Sequence, residues 1–121
     1  MDISDLTSNV NLDKLVEVDQ ERFTICNLKI DDISFVCEKD HVDIYYKANV
    51  LSGDKLERDV SISFVFYSIE NKIIKMFRSD IYKDDFYKYE IMRGAIYFDS
   101  NKKLKTFCSD ISSIKIYAKN D

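Results

Sequence analysis

His41-Val42-Asp43-Ile44-Tyr45-Tyr46-Lys47-Ala48-Asn49-Val50 carries an apolar residue at every second position. Val42, Ile44, Tyr46, Ala48 and Val50 fall on one face; Asp43, Tyr45, Lys47 and Asn49 fall on the other. A period of two is that of an extended chain with one face buried. Ser52-Gly53-Asp54-Lys55 ends the stretch with the strongest turn signal in the chain. The rhythm resumes in Val60-Ser61-Ile62-Ser63-Phe64-Val65-Phe66-Tyr67, where Val60, Ile62, Phe64 and Phe66 point one way. Glu70-Asn71-Lys72 then leads directly into Ile73-Ile74-Lys75-Met76-Phe77, so a hairpin is expected. That second arm has apolar residues on both faces, which predicts a central place or cover from another element. A lone sheet cannot hide such faces, so two sheets must stack.

Working outward, Phe23 to Ile30 reads as a strand and Asp31-Asp32 as a break. Ile33, Phe35 and Cys37 alternate with polar neighbours up to a turn at Lys39-Asp40. Asp80 to Asp85 is a polar connection. Phe86 to Phe98 returns to strand character with Met92, Ile96 and Phe98 in phase. Gly94 inside it signals a bulge or a close backbone approach. Asp99 to Lys103 reads as a loop, Leu104 to Phe107 as a short strand or turn, and Ile111 to Ala118 as the last strand. About seven strands, with a turn signal every 8–12 residues or so, describe an all-β antiparallel sandwich. It is expected to occupy residues 21–121 as one domain, after a leader at 1–20. In the leader, Leu12, Leu15 and Val16 have helical spacing with Asn11 as a cap, while Leu12 to Val18 equally reads as a short strand.

Phe64-Val65-Phe66-Tyr67-Ser68, followed by Asn71-Lys72-Ile73-Ile74, resembles the FxLYD family of immunoglobulin-like modules. Lys47-Ala48-Asn49-Val50-Leu51-Ser52 is similar to that family's Gly-x-Val-x-Asn strand ending, and Ile114-Lys115-Ile116-Tyr117 to its closing strand. The resemblance covers about residues 41–118. It departs where Phe66 replaces Leu and Ser68 replaces Asp, and no Pro-Gly turn precedes residue 86. It implies an immunoglobulin-like sandwich and a non-enzymatic accessory role, often in the cell envelope, and carries over no catalytic residue.

The 121 residues, 45% apolar and 33% charged, have a globular composition with room for one core. The net charge of −4, from 22 acidic and 18 basic residues, supplies no basic face for phosphates, so nucleic acid and anionic membranes are unexpected partners. No apolar run reaches the ~20 residues a membrane helix needs. Met1-Asp2-Ile3-Ser4-Asp5 lacks the basic start of a signal peptide. A native start at Met1 implies the cytoplasm; a fragment of a longer secreted chain implies the envelope.

Three cysteines, Cys26, Cys37 and Cys108, permit one bridge at most. Cys26 with Cys37 is the pair that neighbouring strands would bring together, against the plainer reading of three buried thiols. They are not spaced as CxxC, and two glycines cannot form a phosphate loop. His41, the only histidine, lies at a turn-to-strand boundary where a satisfied or solvated ring is usual. Asp31-Asp32 and Asp84-Asp85 are too few oxygens at the wrong spacing for calcium and read as turn residues. No cofactor or metal is expected. The aromatic cluster is the suggestive feature: Tyr82, Tyr87 and Tyr89 with Phe86, among Lys83, Asp84, Asp85, Lys88 and Glu90. With Phe86 in the core, Tyr87 and Tyr89 reach the surface and, with Tyr82, are the candidate binding residues. The competing explanation is a cross-strand tyrosine ladder. The expected function is a non-catalytic module that binds a protein partner; the alternative is a small-ligand or glycan site built on those tyrosines.

Overall fold

The computed structural model describes residues 12–121. Seven strands form: β1 (Val16–Val18), β2 (Leu28–Cys37), β3 (His41–Val50), β4 (Val60–Ser68), β5 (Ile73–Ile81), β6 (Tyr89–Tyr97) and β7 (Ile111–Asn120). Among the described residues two α-helices accompany them, α1 (Gln20–Ile25) and α2 (Asn101–Asp110). One sheet has the order β1-β7-β4-β5 and the other β2-β3-β6. The chain is therefore an all-β two-sheet sandwich.

The alternating faces meet inside it. Val42, Ile44, Tyr46 and Ala48 of β3 and Val60, Ile62, Phe64 and Phe66 of β4 are each at most 1% exposed. Tyr46 tilts against Phe64 at 5.4 Å and Phe35 meets Phe66 edge-on at 6.2 Å, so aromatic pairs bridge the two sheets. Ile114 and Ile116 of β7 complete the floor. The strand order differs from the constant-type immunoglobulin one, which puts the first two strands side by side and the last beside the sixth. Here β2 pairs with β3, and β7 lies between β1 and β4. The β1–β7 pair is parallel, with Val16 opposite Ile114 and Val18 opposite Ile116; every other pair is antiparallel.

Several local expectations change. Leu12–Leu15 forms a 3-10 turn and Val16–Val18 a strand, so both readings of the leader hold in part, and Leu12 is in the core. The cap proposed at Asn11 lies outside the described residues. Phe23 to Ile25 is helical, not extended. Asp19 starts α1 by accepting the Arg22 N–H at 3.1 Å, and Phe23 drops into the core at 1% exposure. Asn27, at φ 59°, turns the chain out of the helix, and its side chain exchanges two 2.9 Å hydrogen bonds with the Ser52 backbone.

Asp31-Asp32 does not break the strand. Asp32 sits at φ 53° inside a register shift, so β2 bulges and continues. Asp99 to Phe107 is not a loop with a short strand. Ser100 accepts the Lys103 N–H, α2 follows, and Leu104 and Phe107 are buried on one helical face. β5 is not central but an edge. Of its apolar residues, Ile73 and Met76 are more than half exposed on the outside, while Phe77 packs inward on Phe64. β6 begins at Tyr89, because Lys88 at φ 62° interrupts the extended run that was expected to start at Phe86. Gly94 is a close approach: a Cβ there would overlap the Phe77 ring.

Candidate functional site

The three candidate tyrosines are all exposed, by 56% at Tyr82, 56% at Tyr87 and 60% at Tyr89, while Phe86 is buried. They do not form one cluster. Tyr82 follows β5 and borders a hollow of about 110 Å³ with Asp80, Asp85, Glu90 and Met92. Tyr87 is held to the β3–β4 loop: its hydroxyl donates to Asp54 Oδ2 at 3.3 Å, and the next N–H, of Lys88, donates to the Asp54 carbonyl at 2.8 Å. Tyr89 opens β6 opposite Asn49 and carries the Lys47 ammonium over its ring at 4.7 Å. Among the described residues, no ring–ring contact joins the three, so the tyrosine ladder does not form either.

Tyr89 instead begins a stripe. Alternate residues of β6, Tyr89, Ile91, Arg93, Ala95 and Tyr97, face away from the core because Ile96 and Met92 take the inward positions. Ile91 is 64% and Tyr97 67% exposed. Beside them on β3 stand Asn49, Lys47, Tyr45, Asp43 and His41. The signal for Ile91 and Tyr97 was present in the sequence, since the phase that buries Met92 and Ile96 sends the odd positions outward.

One end of this face is electrostatically built. Asp43 is only 6% exposed although it lies on the outer side. Arg93 Nη2 approaches its Oδ1 at 3.5 Å and His41 Nε2 its Oδ2 at 3.6 Å. His41 Nδ1 is 3.1 Å from Asp40 Oδ1, and its ring packs on Tyr97 at 5.1 Å. The Asp40 hydrogen bond, with Asp43 and Glu38 adding negative potential, raises the His41 pKa above its ordinary 6.5. The polar partners of this ring are carboxylates, and among the described residues no hydroxyl or thiol nucleophile hydrogen-bonds to it.

The Cys26–Cys37 bridge does not form. All three thiols are free; Cys26 caps α1 in the core, while Cys37 Sγ lies 3.9 Å from Cys108 Sγ on α2. Among the described residues, no three His, Cys, Asp or Glu side chains converge as a metal site would require. A larger surface depression between β1, α1 and β7, about 520 Å³, is lined by Glu17, Asp19, Arg22, Lys115 and Tyr117. Arg22 is already engaged there, by Asp19 at 3.4 Å and by the Tyr117 ring at 5.1 Å.

Comparison with protein-family models, with curated proteins and with solved structures finds no match. Among the described residues, no helix is long and apolar enough to cross a membrane.

Proposed function

We propose that the chain is a non-catalytic interaction module that receives a strand of a protein partner along the edge of β6, which no strand among the described residues covers. The observation that carries this is the contrast between that edge and the other three. An unpaired row of backbone groups is a template for another chain, and edges are ordinarily guarded. β1 has only three residues. β2 is bulged at Asp31 and Asp32. β5 turns Lys75 inward over the Phe98 ring at 5.2 Å and is flanked outside by Arg78 and Asp80. β6 runs nine residues with no register shift against β3, and its outer face shows Tyr89, Ile91 and Tyr97. Main-chain bonds along such an edge supply affinity, and alternate side chains supply specificity.

Aromatic and aliphatic anchors around an arginine are the residue types that dominate protein interfaces. The accessory role implied by the FxLYD resemblance accords with this reading. A small-ligand site at Tyr82 has less support, because its hollow of about 110 Å³ falls below the roughly 300 Å³ at which ligand pockets begin. The test places a photo-reactive residue at position 91 and, as a control, at the still more exposed Ile69. Crosslinks to a defined partner from position 91, abolished by Tyr89→Ala/Tyr97→Ala with the thermal midpoint unchanged, are expected. Equal yields from both positions refute the reading.

A further inference from the structure

We propose that Cys37 and Cys108 are a reversible thiol–disulfide site that, when oxidised, fastens α2 to the end of β2. The two sulfurs lie in van der Waals contact at 3.9 Å although 71 positions separate them in the chain. Both side chains are half-buried, within reach of a small oxidant, whereas Cys26 is buried. Closing the gap to the roughly 2 Å of a disulfide asks for side-chain rotation, not for a new fold.

The surrounding elements already hold the two residues together. α2 is seated by Leu104 and by Phe107, whose ring meets Phe98 at 5.0 Å and Phe66 at 5.4 Å. At its start, the Asn101 amide donates to the Lys39 carbonyl in the β2–β3 turn, two residues beyond Cys37. The helix thus touches both the core and the turn that follows β2, and the cysteine pair lies between those anchors.

The two thiols are not equivalent. The Cys108 hydrogen bond favours the thiolate of Cys37 and lowers its pKa, against burial and the nearby Asp13 and Glu38 carboxylates. Burial and the same bond raise that of Cys108. Cys37 is therefore the attacking sulfur. With a small-molecule disulfide as oxidant, the Cys37 thiolate bonds to one of its sulfurs and expels the other as a thiolate. Cys108 then loses its proton, attacks the Cys37 sulfur and expels the second small thiol. Two protein thiols are oxidised by two electrons, and one external disulfide becomes two thiols.

The test exposes the full native chain to a series of glutathione redox buffers, with thiol counting, intact mass and peptide mapping. Expected are loss of two thiols, a mass lower by two hydrogens, one Cys37–Cys108 linked peptide with Cys26 free, and reversal by dithiothreitol. Because the bridge closes a long loop, the thermal midpoint should rise by roughly 10 °C. Cys108→Ser should instead retain glutathione on Cys37 and show no such rise; Cys26→Ser should keep the bridge. Three results would overturn the proposal: a native linkage through Cys26, stable glutathione adducts in place of the bridge in the unaltered chain, or three free thiols across the whole series.

Discussion

β5 and β6 are edge strands of equal length, nine residues each, one in each sheet, and only β5 is guarded. They meet where the Phe77 ring of β5 covers Gly94 of β6. β5 places Lys75 opposite Phe66, on the core side, and lays its ammonium over Phe98. Its outer face carries the Arg78–Asp80 pair at 2.9 Å, with Asp121 also near. The core side of β6 begins with Glu90, exposed beside the Tyr82 hollow, and continues with Met92, Gly94 and Ile96. Its outward stripe is aromatic and aliphatic, interrupted only by Arg93. Similar hydrophobicity along two strands can thus support a closed edge or a sticky one. The difference lies mainly on the outer faces, the Arg78–Asp80 pair on β5 against Tyr89, Ile91 and Tyr97 on β6, with the lysine over Phe98 as a further obstacle to a strand docking on β5.

The largest expected effect is on what both edges stand upon. Phe64 is fully buried and holds Tyr46 at 5.4 Å and Phe77 at 5.7 Å. Phe64→Ala should cost about 3–5 kcal/mol in denaturant unfolding, by lost transfer energy and the cavity left behind. Next is the meeting point itself. Gly94→Val should cost about 1–3 kcal/mol, because the new side chain needs the space of the Phe77 ring. In the background of Phe77→Ala the same change should cost less, and additive costs in the double-mutant cycle would mean the edges are not coupled there.

A smaller effect separates the edges by pH. Only β6 bears on the histidine, through Tyr97 on its ring and Arg93 on the shared Asp43. His41 has a folded pKa raised above 6.5, so its protonated form is favoured by folding. That contribution is complete below about 6.5 and is lost as pH rises through the higher folded value. Stability measured against pH should therefore fall across that window, and should not fall there in His41→Gln; a proton NMR titration of the ring gives the folded value directly. The smallest change in stability, within about 0.5 kcal/mol, is expected from Ile91→Lys on the exposed stripe, together with loss of partner crosslinking. Its mirror image, Lys75→Val, should raise self-association in size-exclusion chromatography by opening the β5 edge.

The faces of the strands were legible in the sequence because side-chain direction has a fixed period. The inward sets on β3, β4 and β7 follow the alternation, apart from a half-buried Val50, while Asp43, Ser61 and Val65 are buried on the outward phase as well. The exposure of Tyr87 and Tyr89 follows from the burial of Phe86, even though Lys88 breaks the strand between them. α1 and α2 were missed for one reason. Phe23 and Leu104–Phe107 are short apolar groups that suit a strand as well as a helix turn, and the deciding Asp19 and Ser100 caps are single polar residues. Of the candidate site, the tyrosines were visible, whereas the separation of Tyr82 from the others and the continuation of the stripe to Ile91 and Tyr97 were not assembled.

From its own letters the chain determined that it is a two-layer β structure, which side chains it hides and where most of its turns fall. These are local matters of periodicity and backbone preference. Tertiary structure alone decided which strands are neighbours. It made β5 and β6 edges, set β1 parallel to β7 and brought Cys37 to Cys108 instead of to Cys26. A strand's alternation states which way its side chains point but nothing about what lies beside its backbone. That choice is made by the packing of all seven strands at once, because every peptide group in the sheet can pair with any other.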